Sequence, residues 1–473
     1  MCGLQGLQDR WCRDRTHLCL LDVINIFTAI DHLNDKQWIK LSYQKLLSSI
    51  DEKRDQIVEL TRDLVRFNTT APNPGEEPHQ DRDCQDYIAE DLREIGFQVE
   101  MWEPDLNAMA KSYPFQISGQ SFKNRPILAA RLKGNGKGHS LILNAHIDVV
   151  PVDPTVKWNH DPWGGEVDNE RLYGRGACDM KAGAAAILSA CRAIAESKLH
   201  LAGDIIVESV LDEEINGMGT VSCIERGFRA DGAIIPEPSN LNLWAGCRGI
   251  MWGRLTVEGR SGHAELYHPH WSEGGAVNAI EKTVPILQGI WRLEDEWKLK
   301  SKNKHPLLSI PRAIPTKIKA GDFWATIPDR CEVEMDVQYL PSDKDENGYG
   351  SKVRKEIEDC IIENSACDSW LRVHLPELTW IMDLPPYEIE NSSKLVRDVL
   401  EVAHGLSLET KITGFDSWDD GAHLMNLAGI PSVSIGPGPT SQAHVVDEYV
   451  TVDSIIKTTK LLALMAIKWC GVE

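Results

Sequence analysis

The sequence lacks three features, each of which would indicate a different class of protein. Its 12 cysteines, spread from Cys2 to Cys470, include no CxxC pair. A chain this long can bury a large core without disulfides, so we expect reduced thiols that mostly fill the core. No run of about 18 apolar residues occurs, which predicts no membrane span. The apolar stretch at 19–30 is interrupted by Asp22, so no secretory signal is evident and we expect a cytoplasmic location.

Basic residues are scarce relative to acidic ones. Lys and Arg number 50 against 71 for Asp and Glu, which gives a formal net charge of −21 at pH 7. An acidic balance of this size repels phosphate backbones and anionic lipid headgroups. We therefore expect neither a nucleic acid nor a membrane surface as a partner.

The chain is long enough for two or three folding units, since an ordinary domain has about 100–200 residues. Residues 1–46 carry no informative motif and form an N-terminal extension. Strand-like and helix-like segments alternate over 47–248, which predicts an α/β domain whose mostly parallel sheet has helices on both faces. The rhythm changes over 249–378, where we expect a smaller inserted α+β domain, and the α/β pattern resumes over 379–473.

Five segments place acidic or metal-binding side chains at predicted strand ends or in turns. They read NAHID at 144–148, GRGACD at 174–179, DEE at 212–214, PEP at 236–238 and QAH at 442–444. In open α/β sheets, ligand sites lie at the carboxyl ends of the strands, so these segments would converge in one crevice. Each has an ordinary alternative when taken singly: Asp179 could cap a helix, Glu213 and Glu214 could be a solvated loop, and His444 could be a surface histidine.

Taken together, the segments offer two imidazoles and three carboxylates as metal ligands. These are His146, Asp179, Glu214, Glu237 and His444. Imidazole with carboxylate suits zinc, and ions about 3.5–4 Å apart are a known arrangement for hydrolysis. Three carboxylates against two divalent ions leave one net positive charge. A bridging hydroxide would neutralise this charge and would supply the nucleophile.

Two further acids complete the expected chemistry. Glu213, next to a proposed ligand, would take the proton of the water and pass it to the leaving nitrogen. Asp148 would hold the His146 ring by accepting its second N–H, the usual support for a metal-bound histidine.

Several longer motifs resemble the acetylornithine deacetylase, succinyl-diaminopimelate desuccinylase and aminoacylase family of metallohydrolases. They are NAHIDVVP, WGGEVDNERLYGRGACDMKAG, VLDEEINGMGT, IPEPS, GRSGHAELYHP, GGAVNAIEK and IPSVSIGPG followed by AHVVDEYV. The resemblance runs from about residue 46 to the C-terminus in the family's order. It implies that His146 and His444 bind one zinc each, that Asp179 bridges the two ions, and that Glu214 and Glu237 bind one ion each. Cobalt or manganese are possible substitutes.

The same resemblance assigns roles to the inserted domain. Residues 249–378 would be a lid and dimerisation domain, which makes a homodimer the expected assembly. His263 would reach an active site, often across the dimer, and stabilise the oxyanion. Asn278 would either help to bind substrate or serve only to cap or pack a helix.

The sequence departs from the family pattern where many relatives have Asn-x-Ile-Pro and Asp-x-Arg. Here the segments read Ala325-Thr-Ile-Pro328 and Asp336-Val-Gln338, and a neutral Gln cannot grip a substrate carboxylate as Arg does. Arg248 could supply the missing charge or could instead form a structural ion pair.

Four tryptophans near the motifs could pack the core or line an acyl pocket. They are Trp244, Trp252, Trp324 and Trp418.

The sequence therefore predicts a metal-dependent amidohydrolase, a deacylase that cleaves the linear amide of an N-acyl amino acid or a related small molecule. A dipeptidase or carboxypeptidase, and an N-carbamoyl or ureido hydrolase, remain alternatives because the chemistry at the carbonyl is shared. A non-catalytic, metal-binding relative is the alternative from another class, but it would be expected to lack Glu213 or one of the ligands.

Overall fold

The computed structural model describes residues 33–472, apart from 74, 112, 116–119 and 301–303. Most of the predicted N-terminal extension lies outside the described residues. Among the described helices, none combines the length and the apolar composition that a membrane crossing requires.

The elements are numbered in chain order. The helices are α1 (Leu33–Glu52), α2 (Arg54–Arg66), α3 (Asp81–Glu94), α4 (Leu106–Met109), α5 (Ala182–Ser197), α6 (Met218–Glu225), α7 (Ala279–Leu299), α8 (Ser351–Ala366), α9 (Lys394–Gly405), α10 (Gly421–Ala428) and α11 (Val452–Cys470). The strands are β1 (Gln98–Trp102), β2 (Ile127–Leu132), β3 (Leu141–His146), β4 (Glu166–Asp168), β5 (Arg171–Tyr173), β6 (Ile205–Val210), β7 (Gly232–Ile235), β8 (Leu243–Cys247), β9 (Gly249–Glu258), β10 (Gly262–His263), β11 (Arg312–Ala320), β12 (Thr326–Ile327), β13 (Arg330–Tyr339), β14 (Glu377–Leu384), β15 (Tyr387–Glu388), β16 (Ile412–Phe415), β17 (Ser432–Ser434) and β18 (Tyr449–Thr451).

The main domain is built on a nine-stranded sheet in the order β1-β2-β6-β3-β7-β17-β8-β15, with β16 paired to β8. Its four inner strands, β6, β3, β7 and β17, run parallel. The pairs β1–β2, β2–β6, β17–β8 and β15–β8 are antiparallel. The predicted α/β fold is confirmed, and the sheet is mixed, with its parallel part at the centre.

The inner strands are apolar because both of their faces are covered. Every residue of β3, β6 and β7 is buried, as expected for parallel strands between layers of helix. Helices α5 and α11 pack against each other and against β3. This packing fixes the strand ends at which the candidate ligands lie.

The inserted domain has its own four-stranded antiparallel sheet, in the order β11-β13-β9-β14, and its own buried core with helices α7 and α8. Along β13, fully buried residues alternate with partly exposed ones, so one face of this sheet packs on the helices and the other is free for polar side chains. Strand β14 continues past the predicted boundary at 378 to Leu384. The chain enters the domain between β8 and β9 and leaves it between β14 and β15.

Candidate metal centre

The central strands bring the candidate ligands together at one edge of the sheet. His146 is the last residue of β3. Its parallel neighbour β6 ends at Val210, just before the turn that carries Glu213 and Glu214. On the other side, β7 ends at Ile235, two residues before Glu237. The carboxyl ends of parallel strands share one edge, so these side chains face a common space.

Asp179 lies between the two histidines. Its Oδ1 is 3.3 Å from His146 Nε2 and its Oδ2 is 3.5 Å from His444 Nε2. Glu237 Oε1 lies 3.8 Å from His146 Nε2, and Glu214 Oε2 lies 3.0 Å from His444 Nε2. The five side chains thus form two His–carboxylate groups with one aspartate between them.

The chemistry of this cluster fits a bound cation. His146, Asp179 and Glu214 present ligand atoms within 4.8 Å of one another. Burial raises the pKa values of Glu214 and Glu237, and repulsion from Asp179 raises both further, although the neighbouring histidines oppose this. Glu237 Oε1 is buried without a hydrogen-bond partner among the described residues. Buried carboxylates without enough donors are unfavourable unless paired or bound to metal, so a divalent ion suits these residues.

Asp148 supports the site differently from the prediction. The His146 ring donates from Nδ1 to the backbone oxygen of Asp148 (2.9 Å), whereas the carboxylate of Asp148 is 3.7 Å away. That carboxylate instead accepts the backbone N–H groups of Glu213 (3.4 Å) and Glu214 (3.3 Å). Asp148 therefore holds the ring with its main chain and the Glu213–Glu214 turn with its side chain.

Glu213 is placed next to the His146 group. Its Oε2 lies 3.7 Å from His146 Nε2. Burial raises its pKa, and the carboxylates of Glu237, Asp420 and Glu214 add to this effect, against the opposing influence of His146.

A buried ion pair that the sequence analysis missed links the segments of Asp179 and His444. Glu448 accepts the backbone N–H groups of Cys178 (2.8 Å) and Asp179 (3.1 Å) on one carboxylate oxygen. Its other oxygen lies 2.7 Å from the guanidinium of Arg175. Both residues belong to quoted motifs, GRGACD and AHVVDEYV, but only their burial reveals the contact.

A second missed cluster surrounds the turn that carries the two glutamates. Gly217 has φ +69°, and a Cβ there would lie 2.6 Å from Trp418, 2.7 Å from Asp420 and 2.7 Å from His423. His423 Nε2 donates to the backbone oxygen of Asn216 (3.0 Å). Asp420 is fully buried, and burial raises its pKa. The first turn of α10 and the residues just before it therefore pack directly on the turn that carries Glu213 and Glu214, and no spacing signal in the sequence indicates this.

The two residues predicted to bind substrate, Arg248 and Asn278, and the predicted catalytic residue His263 make their contacts outside this cluster. Arg248 donates to the backbone oxygens of Asp416 (3.0 Å) and Ile310 (3.2 Å), which supports its structural alternative and not substrate binding. Asn278 caps α7 by accepting the Ile280 N–H (3.0 Å). His263 is exposed on β10, where it pairs with Thr326 of β12 and its ring Nδ1 accepts the Glu265 N–H (3.3 Å).

The four tryptophans divide between core and surface. Trp244 stacks on Phe415 with ring centroids 4.0 Å apart, and Trp418 is buried. Trp324 is fully exposed on the inserted domain. Trp252 alone of the four lines a cavity of about 600 Å³ that is also lined by Glu214.

Comparisons with known proteins find relatives in sequence and in fold. Residues 142–468 match Peptidase family M20/M25/M40. The chain is 30% identical over 444 residues to N-formyl-4-amino-5-aminomethyl-2-methylpyrimidine deformylase of Halalkalibacterium halodurans, covering 90% of this chain and 97% of that protein. It is 26% identical to succinyl-diaminopimelate desuccinylase of Thioalkalivibrio sulfidiphilus, over 84% of this chain and 94% of that protein. The solved structure of human carnosine dipeptidase 1 has a TM-score of 0.66 at 17% identity and covers 90% of this chain and 99% of that one.

Proposed function

Since the chain belongs to Peptidase family M20/M25/M40 and is a metal-dependent amidohydrolase, we propose that it is a deacylase that binds two zinc ions. The observation that carries the proposal is the position of Asp179, whose two oxygens each face a different His–carboxylate group. One group would comprise His146 and Glu237, and the other His444 and Glu214. Tetrahedral sites of imidazole and carboxylate ligands are typical of zinc.

A deacylase is favoured over a peptidase by the similarity of sequences. The relatives named above with 26–30% identity are a deformylase and a desuccinylase. The dipeptidase resembles this chain at 17% identity, a level that supports the fold alone. The 30% match to a deformylase supports a small acyl group such as formyl as the part that is removed.

The side chains around the site have separate tasks. Zinc ions held there would lower the pKa of water toward about 7 and polarise the amide carbonyl. Glu213 would accept the proton of the attacking water at its carboxylate and deliver it to the leaving nitrogen. Asp148 would keep Glu213 in place through the backbone N–H that it accepts.

We also propose a homodimer formed through the inserted domain, with His263 of the partner subunit completing each site. The support is an exposed apolar surface beside His263, where β10 pairs with β12. This surface consists of Leu266, Tyr267, Phe323 and Trp324, exposed by 64%, 90%, 68% and 100%. Exposed apolar patches of this kind mark interaction sites.

The test combines metal analysis with hydrolysis. Metal per chain is measured on purified protein, and amine release is followed with N-formyl, N-acetyl, N-succinyl, N-carbamoyl and dipeptide substrates. The same assay is repeated after chelation and after adding back zinc, cobalt or manganese. We expect about two zinc ions per chain and chelator-sensitive release from the N-acyl compounds. Protein that binds no metal even when zinc is supplied would refute the assignment, and preference for dipeptides would favour a peptidase.

A further inference from the structure

Three side chains on the polar face of the inserted domain form one hydrogen-bonded trio. Trp252 on β9 is the direct antiparallel neighbour of Asp336 on β13. Trp252 Nε1 donates to Asp336 Oδ2 (3.1 Å), and Gln338 Nε2 donates to Asp336 Oδ1 (2.8 Å). Asp336 thus fixes the orientation of the indole and of the amide, since each of its oxygens holds one of them.

One member of the trio, Trp252, faces a cavity beside the metal centre, and Asp336 and Gln338 adjoin it through the hydrogen bonds above. Trp252 lines the cavity of about 600 Å³ that is also lined by the candidate ligand Glu214. Of the five candidate ligands, Glu214 is the one in the wall of this cavity, so a substrate whose acyl carbonyl lies near Glu214 has room there for its amine half. The half-exposed indole therefore offers a flat apolar surface to the amine half, and an aromatic ring can stack on it.

Three of the four cations in this cavity wall are already paired. Arg254 and Lys317 both contact Glu334, at 2.8 and 2.9 Å. The buried Arg125 contacts Asp81 at 3.2 Å. The remaining cation of the lining, Lys123, is exposed and shares the lining with Glu76 and Glu77.

The two arginines beside the trio, Arg312 and Arg248, also have partners of their own. Arg312 is the cross-strand neighbour of Gln338 and lies 3.7 Å from Glu294. Arg248 donates to backbone oxygens of Asp416 and Ile310. Gln338 makes one side-chain hydrogen bond in the described structure, so its Oε1 is available to accept an N–H from a ligand.

We propose that Trp252 and Gln338 select a flat, uncharged amine as the leaving half of the substrate. The indole would stack on an aromatic ring, and Gln338 Oε1 would accept a hydrogen bond from an N–H on or beside that ring. A carboxylate at the same place would meet the Asp336 carboxylate without an arginine to pair with, which is unfavourable. This inference rests on the proposed deacylase function and excludes N-acyl amino acids as preferred substrates.

The experiment uses formamides that differ in one feature. N-Formylphenylglycine carries one carboxylate more than N-benzylformamide, and N-butylformamide replaces the ring by a flexible chain. The acetyl derivatives are run in parallel. With the zinc-loaded protein, we expect kcat/KM for N-benzylformamide to exceed that for N-formylphenylglycine by at least about 10-fold, because like charges placed together are strongly unfavourable. Equal or better hydrolysis of N-formylphenylglycine would overturn the inference and leave the deacylase function intact.

Two variants test the residues independently. Gln338→Arg should raise kcat/KM for N-formylphenylglycine relative to N-benzylformamide by at least about 10-fold, since Arg can pair with the carboxylate. Trp252→Leu should reduce the preference for the benzyl over the butyl compound by about 2- to 10-fold, the range expected for an aromatic contact, mainly through KM and with the metal content unchanged. Unaltered substrate ratios in both variants would refute the roles of these residues.

Trp291→Leu is the matched control, because Trp291 lies half exposed on α7 of the same domain and should leave all ratios unchanged. Failure of the zinc-loaded protein to hydrolyse any of these amides, or any N-acyl compound of the wider panel, would count against the deacylase function itself and against this inference with it.

Discussion

Glu213 and Glu214 are neighbours in the chain, yet their carboxylates have different partners. Glu214 lies 3.0 Å from His444, whereas Glu213 lies 3.7 Å from His146. The turn that follows β6 sends the two side chains toward different histidines, and Asp148 holds both backbone N–H groups. One glutamate can therefore bind metal while the other remains free to move a proton.

Substitution of the two glutamates should separate these tasks. Glu213→Gln removes the proton acceptor but no proposed ligand, so we expect zinc to be retained and kcat to fall by at least about 100-fold, the lower end for general acid–base catalysis. Glu214→Gln, the matched control, should lower both the zinc content and the rate. Turnover near that of the unmodified protein in Glu213→Gln would show that another group moves the proton.

At the site, the sequence predicts which side chains come together better than the contacts that support them. His146, Glu214 and Glu237 converge because they lie at the carboxyl ends of β3, β6 and β7. Asp179 and His444 flank β5 and β18, which belong to a separate three-stranded sheet. The sequence predicts the contact between Asp148 and His146, which are two residues apart. It does not predict that the Asp148 carboxylate accepts the backbone N–H groups of Glu213 and Glu214, because this contact depends on the pairing of β3 with β6. Glu448 and Asp420 were missed because a buried acid and a solvated one look alike in sequence.

Among the elements, the turn between β6 and α6 is tightly packed at Gly217. Gly217, at the start of α6, has a left-handed conformation and is packed against Trp418, Asp420 and His423. Gly227, just beyond the end of α6, also has positive φ, +92°, but a Cβ there would meet nothing within 4 Å. Both glycines have positive φ, but only Gly217 is also crowded by neighbouring side chains. Substitutions at the two positions can therefore distinguish the cost of backbone strain from the cost of crowding.

Gly217→Ala should therefore destabilise the protein more than Gly227→Ala. The second variant carries only the strain of an alanine at positive φ, about 1 kcal/mol in the free energy of unfolding. The first adds close contacts and should also lower kcat by displacing the Glu213 turn. Urea unfolding of both variants measures the difference in the free energy of unfolding. Equal losses of stability would mean that Trp418, Asp420 and His423 move aside at little energetic cost.

The Arg175–Glu448 pair joins the Asp179 turn to the segment that carries His444. Glu448→Gln leaves the Arg175 charge buried without its partner, which is expected to cost about 3–5 kcal/mol of stability. We also expect weaker zinc binding by calorimetric titration, because the Asp179 turn loses its anchor. Asp359→Asn, in an exposed pair with Lys355 on α8, is the control and should change neither quantity. Unchanged zinc affinity in Glu448→Gln would limit the pair to a role in stability.

The type of most elements follows from local pattern, but their arrangement in the sheet does not. Alternating strands and helices predict the parallel strands β3, β6 and β7. The antiparallel edges formed by β1, β2 and β15 depend on pairings between distant segments, so the sequence leads to a mostly parallel sheet where the structure has a mixed one. For the same reason, β14 extends the inserted sheet beyond the boundary at 378 that the strand and helix pattern predicts.

For the whole molecule, the position of His263 makes a prediction about assembly. If His263 acts across a dimer, Glu213→Gln and His263→Ala subunits should each be nearly inactive alone. Mixed dimers would contain one site with Glu213 of one subunit and His263 of the partner subunit, so a random mixture should recover about a quarter of the full activity. Co-expression with two affinity tags provides the mixed dimers. No recovery in purified mixed dimers would place His263 outside the partner's site.

The separation of the two domains has a consequence for how this enzyme could diversify. The ligands of the metal centre belong to the main domain, whereas Trp252, Asp336 and Gln338 belong to a domain that the chain enters and leaves once, at neighbouring strands β8 and β15. Mutations in the inserted domain can therefore alter which amines are accepted without disturbing the groups that hydrolyse the amide. Exchange of the inserted domain between relatives would change which substrates are accepted while the hydrolytic reaction stays the same.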